Sequence, residues 1–538
     1  MKNFDTFGVM IDMSRNAVMS TEGLKRFLPL LRKMGYNCVM LYTEDTYEVE
    51  GEPYFGYMRG RYSIEEMKEI DAFATSIGMT VIPCIQTLAH LNAIFRWGKF
   101  PKDCYDILLT DNERTYELID RMFATLSKCF ASRKIHIGMD EAHMLGRGRH
   151  LDIHGYETVN DIMRRHLDRI REIAKKYDYE LMIWSDMYFR HWNDGRYDIP
   201  RCEIPQSVKD SFCEDVIPVY WDYYKTNEDN YSAMLENHKQ LSDKTWFAGG
   251  AWSWSGMIPF NRFTLESMKP ALDACIKQGV RNVVLTMWGD DGAECSHFSQ
   301  LPSLFYLAEY AKGNRDEEAI KAKFERLTGI GFDEFMKIDS PNDIIPYEGC
   351  PRNPSKYMLY SDYFNGYLDY TIKIGVGEKY TEYAKELSAT ARKSRRYGYV
   401  FDSAAKLCSV LAIKYELGAR TRDAYKRGDK SALEALARNE YTELVRLIKL
   451  YGRAFEKQWF ADNKTCGFDV QDHRIGALIY RTEACRRRLL DYVGGRIDCI
   501  AELEEELLPY GEAEQSANIN ITISASTTNI VHFGSVPQ

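Results

Sequence analysis

A chain of 538 residues with 45% hydrophobic and 28% charged residues has the composition of a protein with large buried cores, and its length suits two or three domains. A formal net charge of −9 and a pI near 5.8 exclude a nucleic-acid binder that relies on a basic surface. No apolar run approaches the ~20 residues that span a bilayer, and thirteen cysteines without paired spacing read as free thiols of a cytoplasmic protein with no zinc site.

The N-terminus has no signal-like apolar stretch and leads directly into a strand. In chain order, short apolar strands are expected at Phe7–Asp12, Cys38–Tyr42, Thr80–Ile85, Ile135–Gly138, Leu181–Ser185, Val216–Trp221, Thr245–Ala251 and Asn282–Met287. Helical patterns lie between most of them, at Thr21–Met34, Ser63–Ile77, Glu113–Phe130, Val159–Lys176 and Thr264–Gln278. Ser63-Ile-Glu-Glu66 is a capping-box arrangement. Continuous apolar strands alternating with helices predict a parallel sheet covered on its outer face, and eight such units predict an α/β (β/α)8 TIM barrel. An open doubly wound sheet would carry a glycine-rich phosphate turn after an early strand, and none is present.

Beyond about residue 345 the pattern changes. Pro341, Pro346, Pro351 and Pro354 mark a connector, and helices follow at Lys385–Arg396, Ser403–Arg420 and Lys430–Lys457. The expected layout is a barrel over 1–345, an α-helical domain over 346–511 that either packs on the barrel or forms a homodimer surface, and a tail or extra strand over 512–538.

In a TIM barrel the chemistry sits where the strands end. The first strand ends in Asp12-Met-Ser-Arg15, the second in Tyr42-Thr-Glu44-Asp45, and the third runs on from Cys84-Ile-Gln to His90. The fourth runs from His136 into Asp140-Glu141, and the fifth ends in Trp184-Ser-Asp186. The sixth supplies Tyr220-Trp221-Asp222-Tyr223-Tyr224, the seventh Trp252-Ser-Trp254, and the eighth Trp288-Gly-Asp290-Asp291. Taken singly, Arg15 reads as a surface arginine, His90 as a core histidine, and Trp184 or Trp221 as packing residues. Collectively they do not, because structural tryptophans have no reason to prefer one end of a barrel. Two adjacent carboxylates disfavour each other's ionisation, and environments that push their pKa values apart divide acid and charge-stabilising roles between them. Aromatic walls with a few charged groups suit a saccharide.

These residues resemble glycoside hydrolase family 20, the β-N-acetylhexosaminidases. His136-Ile-Gly138-Met139-Asp140-Glu141 is similar to that family's fourth-strand His-x-Gly-Gly-Asp-Glu, with Met139 in place of the second glycine. Val81-Ile-Pro-Cys-Ile-Gln with His90, Met182-Ile-Trp184-Ser-Asp186 and Trp288-Gly-Asp290 resemble its third-, fifth- and eighth-strand segments. The resemblance spans roughly residues 5–310 and lacks the family's usual N-terminal domain, as in a divergent intracellular bacterial branch. It implies a retaining exo-β-N-acetylhexosaminidase that removes terminal GlcNAc or GalNAc through an oxazolinium intermediate, without cofactor or metal. Glu141 would be the general acid and base, and Asp140 the anion that orients the acetamido group. Arg15 and Asp290 would hold ring hydroxyls. Glu44, His90, Trp184, Trp221, Tyr224, Trp252, Trp254 and Trp288 would complete the substrate pocket, with His136 and Asp186 supporting the carboxylates. Tyr220, Tyr223 and Tyr224 are the candidates for the acetamido oxygen, and strand alternation puts Tyr220, Asp222 and Tyr224 on one face. Two rival readings stand beside this one. One is a glycosidase of non-acetamido sugars in which Glu44, Asp186 or Asp290 partners Glu141. The other is a non-catalytic sugar-binding barrel. A metal-dependent hydrolase lacks the HxH or HExxH spacing.

Overall fold

The computed structural model describes residues 3–254, 256–290, 292–344 and 353–508. The expected tail over 512–538, Asp291, and the Pro346 and Pro351 part of the connector lie outside these. Eight parallel strands close into a barrel in sequence order: β1 (Thr6–Asp12), β2 (Cys38–Tyr42), β3 (Thr80–Cys84), β4 (Lys134–His136), β5 (Glu180–Trp184), β6 (Ile217–Trp221), β7 (Trp246–Gly250) and β8 (Asn282–Met287). β1 pairs with both β2 and β8, which removes any free edge.

Alternation along each strand sorts two cores. Met10, Met40, Tyr42, Cys84, Trp184, Val219, Ala248 and Val284 fill the barrel interior. Their sequence neighbours, such as Val9, Val39 and Leu285, face the helices. Those helices obey their local signals. Ser63 accepts from the Glu66 backbone N–H while the Glu66 carboxylate returns to the Ser63 N–H, so the helix Ile64–Ser76 starts with a complete capping box. β4 ends at His136, two residues short of the expected Gly138, because the backbone turns left-handed at Gly138 and Met139.

Beyond the barrel, long helices Gly377–Lys393, Gly398–Lys426, Tyr441–Asp462 and Phe468–Val493 form a bundle. The helix expected over Lys430–Lys457 is divided, because a π turn at Leu436–Glu440 separates Lys430–Ala435 from Tyr441–Asp462. Among the described residues no helix is long and apolar enough to cross a membrane.

Candidate active site

A cavity of about 130 Å³ opens at the C-terminal ends of the strands, floored by the barrel interior. Asp140 and Glu141 enter it from the end of β4. Successive side chains of an extended strand point to opposite faces, so both acids reach one cavity only because the chain leaves β geometry. Gly138 has φ 72°, Met139 70° and Glu141 49°. A Cβ on Gly138 would stand 2.0 Å from Gln86 Oε1, so only glycine fits. Met139 takes the same left-handed turn with a side chain, a strain of ~1–2 kcal/mol, and that side chain is fully buried in the outer core.

The two acids differ in surroundings. Asp140 is buried and accepts from Gln86 Nε2 at 2.7 Å, with His90 Nε2 3.5 Å from its other oxygen. Burial alone would raise the Asp140 pKa, but the His90 charge and the Gln86 amide hold it below the ordinary carboxylate value. His90 is the mirror case: burial opposes its charge, yet the Asp140 carboxylate outweighs this and pushes it up to about 10. The two shifts set an imidazolium against a carboxylate, with the imidazole partly open to the cavity. Glu141 sits at the same imidazole, its Oε2 3.8 Å from His90 Nε2, and its Oε1 lies 3.7 Å from Arg190 NH2. Its side chain is 40% exposed.

Behind them, Asp186 Oδ2 accepts from the Glu141 backbone N–H (3.2 Å) and from Arg190 Nε (3.0 Å). Burial, and then the Asp140 and Glu141 charges, push Asp186 up to about 7. Burial drives His136 down to about 3, so it is neutral. Its Nδ1 accepts from the Gly138 N–H at 3.1 Å, and its ring packs on Trp184 at 4.3 Å.

The opposite wall belongs to β1, β2 and β8. Arg15 NH2 is 3.4 Å from Glu44 Oε1, and Arg15 Nε is 4.0 Å from Asp12. Burial opposes the guanidinium charge, but Glu44, Asp290 and Asp12 hold it well above its usual range. Arg15 and Asp290 both line the cavity. Glu44, expected to touch sugar, is not on its lining: it is buried, accepts from the Tyr42 hydroxyl (3.0 Å), and braces Arg15.

Trp184, Trp221, Trp254 and Trp288 supply aromatic walls, joined by Tyr42 and Tyr223. Tyr223 stacks on Trp221 (5.5 Å, 19° between planes) and meets Trp254 edge-on. Trp252 does not reach the lining. It is 1% exposed, lies 4.3 Å behind Trp254, and donates from Nε1 to the Tyr223 carbonyl, so it buttresses the wall. The face that holds Tyr220 and Asp222 is the outer one: Tyr220 packs on His238 and Phe247 and donates to Asp222. The inward set runs Val219, Trp221, Tyr223, which leaves Tyr224 42% exposed at the mouth.

Three residues at the site went unassigned in the sequence, Tyr42, Gln86 and Arg190, while Tyr223 was one of three tyrosines left open. Gln86 carried a readable signal, being a lone amide two positions past the inward Cys84. It donates to the Tyr42 hydroxyl (2.9 Å) as well as to Asp140, and accepts from the Met139 N–H (3.1 Å). Arg190 lies one helical turn after Asp186, the spacing of an ion pair. Outside the cavity, Asp111, His150 and Glu157 cluster like metal ligands, but Arg165 donates to both acids and makes this a salt-bridge group.

Comparison with known proteins gives two family matches. The model of the glycosyl hydrolase family 20 catalytic domain matches residues 28–199, and that of the glycoside hydrolase 20C C-terminal domain matches residues 333–522. Hexosaminidase D of Bos taurus is 23% identical over 339 residues, covering 58% of this chain and 94% of its own length. Hexosaminidase D of Homo sapiens is 23% identical over 57% of this chain and 66% of its own. Among solved structures, the chain resembles a family 20 exo-β-N-acetylglucosaminidase from Vibrio harveyi (17% identity, TM-score 0.47) and covers 58% of that protein's length, while 61% of this chain is matched.

Proposed function

Because the chain belongs to glycoside hydrolase family 20, we propose that it is a retaining exo-β-N-acetylhexosaminidase whose nucleophile is the substrate's own 2-acetamido oxygen. The observation that carries this is the shared imidazole. Glycosidases with two catalytic carboxyls set them on either side of the scissile bond. Here Asp140 and Glu141 stand 3.5 and 3.8 Å from one nitrogen of His90, on the same side, which leaves the opposite face of the sugar to a nucleophile that is not theirs.

Asp140, kept ionised by His90 and Gln86, accepts the acetamido N–H and stabilises the positive oxazolinium. Glu141, open to the cavity mouth, protonates the leaving oxygen and then activates water. Two inversions at the anomeric carbon give retention. Trp254 and Trp288 present faces to the pyranose above a floor that includes Trp184, with Arg15 and Asp290 at its hydroxyls. Of the three tyrosine candidates, Tyr223 closes the acetamido end, since it alone is both inward-facing and within the wall.

Asp290 lines the same cavity, so the two-carboxylate reading on a non-acetamido sugar is the rival to eliminate. A screen of aryl β-GlcNAc, β-GalNAc and β-glucoside substrates with a thiazoline mimic of the oxazolinium separates the two. Cleavage of the acetamido sugars with tight thiazoline inhibition is expected. Preference for the glucoside with weak inhibition would overturn the proposal.

A further inference from the structure

The two halves of the site are anchored differently. Asp140 and Glu141 are held by barrel residues: Gln86, His90, Asp186 and Arg190. The exits of β1 and β8, which carry Arg15, Trp288 and Asp290, are instead tied to the helical bundle. Glu294, four residues past Asp290, is a fully desolvated carboxylate at the centre of this junction. Its Oε2 accepts from the buried Lys356 Nζ (2.7 Å), its Oε1 from Arg474 (2.9 Å), and its backbone carbonyl from Gln458 Nε2 (3.1 Å). These three donors come from three separate helices. Asp462 extends the junction across both exits. It accepts from Ser296 Oγ (2.5 Å) on the β8 side and, through its backbone carbonyl, from the Ser20 N–H (3.0 Å) on the β1 side. Met19 bridges to Asn463, and Gly467 sits so close to Asn16 that a Cβ there would be 2.4 Å from the Asn16 carbonyl.

We propose that the helical bundle is a positioning element of the active site, and that Glu294, gripped by Lys356 and Arg474, is the positioning residue that sets Arg15 and Asp290 for the sugar hydroxyls without touching the chemistry at Asp140 and Glu141. This rests on the functional reading given above for what Arg15 and Asp290 contact. Buried charges with matched partners have one low-energy arrangement, because an unpaired charge at low dielectric is costly, so the junction fixes a loop geometry that surface contacts would leave loose.

The test is Arg474→Gln in the full-length protein, with Arg474→Lys as its conservative partner and Ser296→Ala as a milder cut at the same junction. An interaction realised equally in ground and transition states moves KM and leaves kcat. Arg474→Gln is expected to raise KM for an aryl N-acetyl-β-hexosaminide roughly tenfold with kcat changed less than about twofold. Arg474→Lys should recover most of the loss, and Ser296→Ala should shift KM in the same direction by a smaller factor. Hydrogen exchange should rise at residues 13–20 and 292–296 while 136–142 stays protected. A proportional fall in kcat, or unchanged KM despite faster exchange at both exits, would overturn the proposal. If Arg474→Gln fails to fold, Ser296→Ala and Arg474→Lys decide by the same criteria. If the wild-type protein cleaves no acetamido sugar, the functional reading falls by itself. The exchange pattern then still decides the anchoring: confinement to the two exits upholds it, and uniform or absent change refutes it.

Discussion

Gln86→Leu removes three hydrogen bonds at nearly constant volume. The bond to ionised Asp140 contributes ~1.5–3 kcal/mol, as for other charged partners. The Met139 N–H, left buried without an acceptor, costs a further ~1–3 kcal/mol, whereas the Tyr42 hydroxyl keeps Glu44 as its acceptor. The sum at neutral pH is ~2.5–6 kcal/mol. The Asp140 share depends on pH. A carboxylate whose pKa is lowered on folding contributes stability that is present above its unfolded pKa and lost as pH falls through the folded value. The stability gap between wild type and variant should therefore be widest near pH 7 and narrow in acid. The same loss makes protonation of Asp140 roughly ten- to a hundredfold easier, which moves the acid limb of kcat/KM towards neutrality. Denaturant titrations at several pH values, with the pH–rate profile, measure both. A constant gap with an unmoved acid limb would show that Gln86 serves only the Met139 turn and has no part in the Asp140 charge.

Three further outcomes are expected. Glu141→Gln should lower kcat roughly 10²-fold or more on a natural glycoside and much less on an activated aryl glycoside, which needs little protonation; equal losses would remove Glu141 from the acid role. Met139→Gly relieves ~1–2 kcal/mol of backbone strain but deletes a buried side chain worth ~2–5 kcal/mol, so the melting temperature should fall while the folded enzyme stays active, and a rise in Tm would contradict the packing account. Asp186, raised to about 7 from 3.8, binds its proton more tightly in the folded state, so it contributes stability below its unfolded pKa that is lost as pH rises through about 7. Asp186→Asn should flatten that decline, and parallel Tm-versus-pH curves for variant and wild type would exclude it.

The barrel was legible because apolar runs and capping signals are local: Ser63 and Glu66 predict their helix from four residues. The acids, Arg15, His90, Trp184, Trp288 and Asp290 were legible because strand ends converge on one face. What the sequence left open were questions of parity beyond the strand. Once β6 ends at Trp221, nothing local says whether Tyr223 or Tyr224 continues inward, and the barrel closure decides for Tyr223. Trp252 faltered for the same reason, since the turn after Gly250 sends it behind Trp254. Glu44 went to a structural task because the largely covered Arg15 needs a counter-charge, and the 3.4 Å contact that supplies it exists only in the fold.

The left-handed turn at Gly138–Met139 has a consequence for anyone transplanting this chemistry. The proposed catalytic pair is not portable as two letters of sequence. Written onto the straight end of another barrel strand, an Asp-Glu dipeptide would send one carboxylate inward and the other towards the surrounding helices. What must travel is the kink, together with the amide of Gln86 that occupies the space a Cβ at position 138 would need. The unit of inheritance at this strand end is a backbone shape, and the two acids are its passengers.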